Sequence, residues 1–287
     1  MQAEKRQLPA GLYLVPTPIG NARDITLRAL DVLRDATVLA AEDTRNLRHL
    51  MDIHGVALDG RRVIAWHDHS SERDRERLVG LIRDGASLAY ASDAGMPMIS
   101  DPGYVLMRDV IAAGLYATVL PGASAVLTAL VLSGLPAERF QFVGFPPIKA
   151  KDRMALWESL KSAPLTTILF ESARRSSGTI GELRAVLGDG RAAALCRELT
   201  KKFETVLRGT LADVAAQIDA DGVKGEVVIL VGRSDGDAEI DVEGALRAAM
   251  AIMSVKDATD AVSKATGLPK RQVYQAALAL KDHDGAA

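Results

Sequence analysis

Seven polar or Gly/Pro-rich loops hold the side chains of this chain that could do chemistry, and each follows a short apolar run that reads as a strand. The longest is Ser92–Gly103 (SDAGMPMISDPG), set between the apolar run Ser87–Ala91 and a helix-like run from Tyr104. Two acids, two glycines and two prolines are more than a connection of about two to six residues requires. The other loops are Pro16–Asp24, Ala41–Arg45 (AEDTR), Pro121–Ala125 (PGASA), Gly144–Pro147 (GFPP), Glu171–Arg175 (ESARR) and Arg197–Lys202 (RELTKK). The carboxyl ends of parallel strands share one side of a sheet, and ligands bind there, so the loops are expected to converge on one cleft. Small or rigid residues such as Gly95, Pro97, Gly122, Ala123 and Ser124 let backbone come close to a ligand, which suits a neutral, planar molecule. Lys149, Lys151, Arg153, Arg174, Arg175, Arg197, Lys201, Lys202 and Arg208 come from segments at or near the cleft side. As a set they read as a phosphate track; singly, each also reads as part of a solvated face.

Several common chemistries are excluded. No Gly-x-Gly-x-x-Gly follows the first strand, and no P-loop or Gly-x-Ser-x-Gly elbow occurs. His67 and His69 have metal-ligand spacing, but the chain has five histidines and no helical His pair, so a hydrogen-bonded loop is the preferred reading and no metal is expected. The single cysteine, Cys196, lies in the apolar run Ala192–Cys196 and reads as a buried, inert thiol. Net charge is −2, so nucleic-acid binding must come from local patches, and 4% aromatic residues disfavour a stacking platform for single strands. With 48% hydrophobic residues, no signal-like N-terminus and no run of 18 apolar residues, the reading is a cytosolic protein without a membrane span.

The elements that must position these loops alternate. Strands are predicted over 12–15, 37–41, 62–66, 87–91 and 117–120, with helices over 25–34, 46–53, 71–83 and 104–113 between them. Asp24 is read as the cap of the first helix, with Leu27, Leu30 and Leu33 on its inner face. The third helix turns Leu78, Leu81 and Ile82 inward. Short apolar strands between amphipathic helices mean a mostly parallel sheet. After Pro121-Gly122 come a very apolar helix (123–132), then strands over 139–144, 165–171, 191–197 and 225–231 with helices over 151–162, 178–187 and 211–218; residues 203–208 are expected to pair antiparallel. Residues 234–243 carry five acids and no base and read as a linker. Three short helices follow, with the turn Gly267-Leu268-Pro269 suiting a helix-turn-helix. The expected division is therefore 1–121 and 122–233 as two α/β domains with mostly parallel or mixed sheets flanking a cleft, 234–244 as linker and 245–287 as a helical appendage.

The order LYLVPTPIGN (12–21), Asp24-Ile25-Thr26, AEDTR, SDAGMPMISDPG, PGASA, SGLP, GF-P, ES-RR, RELTK-FE and Lys224-Gly225-Glu226 resembles the bacterial small-subunit ribosomal RNA (cytidine) 2′-O-methyltransferases, within the tetrapyrrole methylase superfamily. The resemblance spans about residues 10–232, and the C-terminal piece is similar to that family's appendage. It implies S-adenosyl-L-methionine bound between two α/β domains, a homodimer, and 16S rRNA of the 30S subunit as substrate. By motif position it implies a cofactor pocket using Pro16, Asp93, Met96, Ser124, Ala125, Phe170, Glu171 and the stretch Leu195 to Glu198. With RNA as the substrate, Lys149, Lys151, Arg153, Arg174, Arg175 and Lys202 of the phosphate track are the expected RNA contacts. Trp66–Arg73 reads WHDHSSER where the family often has His-Glu-Asn-like residues, so a substrate role for an asparagine there does not transfer.

A neutral ribose hydroxyl is a poor nucleophile, so its proton must leave near the transition state. Glu42, Asp43, His67, Glu171, Glu198 and Lys201 are the candidate groups on the loops, and the residue types do not select among them. The preferred reading gives Glu42, Arg45 and Lys201 electrostatic and orienting roles. Asp24 is better read as a cap and Asp101 as a turn residue. Two rivals stand: a methylase of tetrapyrroles or other small molecules on the same fold, and a nucleic-acid-binding regulator acting through the C-terminal helices. The appendage itself reads equally as an RNA contact or as a dimer or packing element.

Overall fold

The computed structural model describes residues 7–67, 70–98, 104–234, 242–266 and 268–284. Asp68, His69, the end of the long loop (99–103, including Asp101), most of the acidic linker and Gly267 lie outside the described residues.

The first half is a doubly wound sheet. Strands β1 (Gly11–Val15), β2 (Val38–Ala41), β3 (Val63–Ala65), β4 (Ser87–Ala91) and β5 (Ala117–Val119) alternate with helices α1 (Leu27–Asp35), α2 (Thr44–Ile53), α3 (Glu72–Arg83) and α4 (Tyr104–Ala112). The order is β3-β2-β4-β1-β5, and all pairs are parallel. Alternation of side chains divides β1 between two cores. Tyr13 and Val15 pack with Val32 and Leu33 of α1 and Leu47 and Met51 of α2. Leu12 and Leu14 pack with Leu78 and Ile82 of α3 and Leu106 and Val110 of α4. Both faces of β4 are covered in this way, which is why SLAYA is an unbroken apolar run.

The second half is mixed. It contains α5 (Ala125–Ser133), β6 (Phe140–Phe142), α6 (Ala150–Ser159), β7 (Thr166–Ser172), α7 (Ala173–Leu187), β8 (Ala192–Arg197), β9 (Thr205–Thr210), α8 (Leu211–Asp221) and β10 (Glu226–Val231), in sheet order β6-β7-β10-β8-β9. Only β6 and β7 pair in parallel; β10 runs antiparallel to both β7 and β8, and β9 antiparallel to β8. One face packs Leu169, Leu195 and Ile229 against α6, α7 and α8. The other packs Ile168, Cys196 and Val228 against α5 and Ile19 of the first loop, so this core joins the two halves. Three further helices, α9 (Val242–Met250), α10 (Val255–Thr266) and α11 (Lys270–Asp284), surround their own small core of Leu246, Val262, Val273, Ala277 and Leu280.

Three local expectations are corrected. Thr26, not Asp24, caps α1 through its side chain to the Ala29 N–H; Asp24 ends a short 3-10 turn over Ala22–Asp24 that Asn21 caps. Packing on β1 buries Ala29, Val32 and Leu33 of α1 and leaves Leu27, beside the cap, 81% exposed. Helix α7 begins at Ala173 rather than Gly178, directly after β7, so Arg174 and Arg175 lie in its first turn and not in a loop.

Candidate active site

A cavity of about 530 Å³ opens where the two halves meet. Its first-half wall is Ile19 of the first loop, Glu42 after β2 and Asp93, Ala94, Gly95 and Met96 after β4. Its second-half wall is the start of α5 (Ser124, Ala125, Val126), Phe145, the β7–α7 joint (Phe170 to Ala173), Leu199, and the start of β10 (Gly225 to Val228). Two helix N-termini therefore face the cavity, each suited to anionic or acceptor groups of a ligand. Phe170 sits edge-to-face with Phe142 and Phe145 at 4.8 and 5.6 Å, forming an aromatic wall.

Hydrogen bonds tie the loops to one another. Thr17 and Gly95 exchange backbone hydrogen bonds of 3.1 and 2.9 Å, tying the first loop to the long loop. Gly95 has φ +76°, which favours glycine. The Asp43 N–H donates to Asp93 Oδ1 at 2.9 Å, tying the AEDTR loop to the same place. Across the halves, the Asn21 N–H donates to Thr200 Oγ1 at 3.0 Å. Glu198 and Thr200 hold positive φ values of 50° and 62°, strain concentrated in the loop that meets the first half. Glu171 is buried; its carboxylate accepts from the Ser172 N–H at 2.8 Å and from Thr179 Oγ1 at 2.7 Å, with Arg175 Nε at 3.4 Å.

The residues named from sequence separate into groups. Glu42, Asp93, Met96, Ser124, Ala125, Phe170 and Glu171 line the cavity. Leu195 does not: it points to the opposite face of β8, into the core under α6–α8. Pro16 is buried behind the site, against Gly122, where any Cβ would collide with its ring. Glu198 and Lys201 stand outside the cavity as braces. Lys201 Nζ donates to Glu198 Oε1 at 3.1 Å and Glu226 Oε2 at 2.9 Å, and the Glu226 N–H donates to Glu198 Oε1 at 3.0 Å. Burial pulls Lys201 down, but its bonds to Glu226 and Glu198 outweigh this and leave its pKa raised. It is a fixed cation and no base at neutral pH. The Glu226 backbone N–H and then Lys201 hold the Glu198 carboxyl low. Arg45 is on the rim, mostly exposed and paired with Asp43, whose carboxyl that arginine holds at about 2.

Of the proposed RNA contacts, Lys149, Lys151, Arg174 and Lys202 are exposed. Arg153 is not available: its guanidinium binds both Glu182 oxygens at 2.8 Å and the carbonyls of Pro147 and Ile148, with 17% of the side chain exposed. Arg175 is half-buried and turned toward Glu171. Burial pushes the Cys196 thiol up to about 11, which removes it as a nucleophile. Unforeseen wall residues include Ile19, Phe145, Leu199, Gly225 and Val228. Ile19, Phe145, Leu199 and Gly225 stand in motifs noticed in the sequence; Val228 looks like an ordinary core residue until the sheets are assembled.

The Tetrapyrrole (Corrin/Porphyrin) Methylases family model matches residues 11–215. The chain belongs to this family. It is a methyltransferase, and the RsmI C-terminal HTH domain model matches residues 236–281. The methyltransferase is 43% identical over 98% of its length to the ribosomal RNA small subunit methyltransferase I of Mesorhizobium japonicum, 95% of which is covered. It is 38% identical to the protein of that name from Escherichia coli O157:H7, with 93% and 94% of the two chains covered. Among solved structures, a cobalt precorrin-4 methyltransferase superposes with TM-score 0.56 at 17% identity, covering 77% of this chain and 94% of its own. The uroporphyrin-III-C-methyltransferase of Thermus thermophilus gives 0.54 at 22% identity, covering 78% and 94%. These two share the fold.

Proposed function

We propose that this methyltransferase takes S-adenosyl-L-methionine into the cavity between its halves and methylates the ribose 2′-hydroxyl of a decoding-centre cytidine in 16S rRNA, acting on the 30S subunit as a homodimer in the cytoplasm. The observation that carries this reading is extent. Relatives named for the small-subunit rRNA align with 92–98% of the chain, whereas the two porphyrinoid enzymes align with 77–78%.

The residues present fit that cofactor. Ile19, Phe145, Phe170 and Val228 offer apolar surface for a purine, and Glu42, Asp93 and Glu171 offer acceptors for ribose hydroxyls and cationic groups. When bound, the sulfonium supplies an electrophilic methyl carbon. Glu42 and Asp93 orient the acceptor from the first-half wall. Lys201 and Arg45 are positioning residues: Lys201, clamped by Glu198 and Glu226, holds the start of β10 against the RELTK loop, and Arg45 pairs with Asp43. Holding hydroxyl and methyl in line at about 3–3.5 Å supplies several kcal/mol without a dedicated base. Among the described residues no group of three His, Cys, Asp or Glu could hold a metal ion, and no helix is long and apolar enough to cross a membrane.

Purified protein with radiolabelled S-adenosylmethionine is to be offered 30S subunits, naked 16S RNA and a tetrapyrrole precursor. Label on a ribose of the 30S RNA is the expected result. Label in the tetrapyrrole alone would keep fold and donor but overturn the substrate. Sedimentation of the same sample tests the dimer.

A further inference from the structure

A second, smaller cleft of about 210 Å³ lies beside the large cavity, between the first loop and α2. Asp93 lines both, and the Thr17–Gly95 bridge stands between them. We propose that this cleft seats the acceptor nucleotide, with Asn46 and His49 meeting the base edge and Arg23 and Arg48 holding flanking phosphates; the inference rests on the RNA reading above.

Size is the first argument. Pockets for drug-sized ligands measure about 300–1,000 Å³, so a cleft below that range takes one nucleoside and not a four-ring macrocycle. Chemistry is the second. Asn46, His49, Leu50 and Ile53 recur at helical spacing, so one face of α2 looks into the cleft. Leu50 and Ile53 give an apolar surface for the face of a base. Asn46 and His49 are exposed, and neither side chain hydrogen-bonds another described residue, so both donors and acceptors are free for a base. Charge is the third. Arg23 adjoins Ala22 on the opposite lip, Arg48 flanks the lining face of α2, and both are exposed. Neither makes an ion pair with a described residue. Position is the fourth. A ribose in this cleft reaches the methyl donor across Asp93, whose carboxylate the Asp43 N–H already holds.

Asn46→Ala, His49→Ala and the double variant are compared with the full-length wild type on 30S subunits, with cofactor affinity measured separately by calorimetry. The expected result is cofactor affinity within about twofold of wild type and kcat/KM for 30S reduced about tenfold or more per residue, as for loss of a base contact. Unchanged kcat/KM would overturn the proposal, and so would a matching loss of cofactor affinity, which would make the cleft a support for the large cavity. A wild type that labels no 30S RNA would instead overturn the RNA reading. As a turnover-independent measurement, Ile53→Cys places a thiol in the cleft while Cys196 stays buried. Alkylation slowed about fivefold or more by 30S subunits supports the proposal, and an unchanged rate opposes it.

Discussion

Arg153 shows how a side chain of the right type can serve the fold alone. Its fork meets Glu182 through two 2.8 Å bonds, and the Trp157 N–H donates to the same carboxylate at 2.8 Å. The arginine, and then Trp157, hold the Glu182 carboxyl at about 2 against an ordinary 4.5. Since the folded value lies below the unfolded one, the pair stabilises fully above about pH 4.5, and this stability is lost as pH falls through about 2. Glu182→Gln is expected to lower stability at pH 7 by about 1–2 kcal/mol, with the difference from wild type shrinking between pH 4.5 and 2.5; denaturant titrations across that range measure it. Lys201 belongs at the same scale. Its stem packs over Gly20, where a Cβ would come within 2.5 Å of its Cγ. Lys201→Ala is expected to loosen the joint between the halves and raise the Kd for the cofactor several-fold, with Lys201→Arg recovering part of it. Equal calorimetric affinities would remove the bracing role.

Among the elements, β10 and the residues before it set the shape of the cavity. Gly225 has φ +86°, and any Cβ there would overlap the Glu198 carboxylate. Gly225→Ala is expected to cost about 1–3 kcal/mol of stability and weaken cofactor binding; thermal melting with and without cofactor reads both effects. At this scale the first half was legible. Its strands are short apolar runs covered on both faces, and its helices end at glycines or begin at caps such as Ser71, so each element lies within a residue or two of its prediction. Helix α1 was misregistered because Asp24 and Thr26 both have capping side chains, and only packing chooses between them. In the site, Asp93 could be placed because it closely follows β4, and Ser124 and Phe170 by the motif positions of the family resemblance alone. Leu195 could not: the face a strand residue takes depends on its sheet neighbours, and β10, sequentially last, is the neighbour of β8. Arg153 and Arg175 are hidden from a sequence reading for a related reason. Composition shows a cation, but only the fold shows whether Glu182 or Glu171 already holds it.

At the scale of the whole molecule, a near-neutral chain must bind a polyanion through local arrays. Exposed Lys149, Lys151, Arg174 and Lys202 on one half, and Arg23 and Arg48 on the other, stand on chain segments that also supply cavity-lining residues. Affinity for 30S subunits is therefore expected to fall steeply with salt, by roughly tenfold or more between 50 and 200 mM for even three or four neutralised phosphates. A flat response in filter binding would discard both arrays.

Strand β10 runs against β7 and β8, so its beginning, and not its end, arrives at the rim where those two strands finish. The segment 222–225 ahead of it thus becomes an entrance fitting of the cavity, although in an all-parallel sheet it would lie on the far side of the molecule. Evolution or engineering that lengthens this connection will alter ligand access directly, while insertions after β10, at the opposite edge, will leave the cavity untouched.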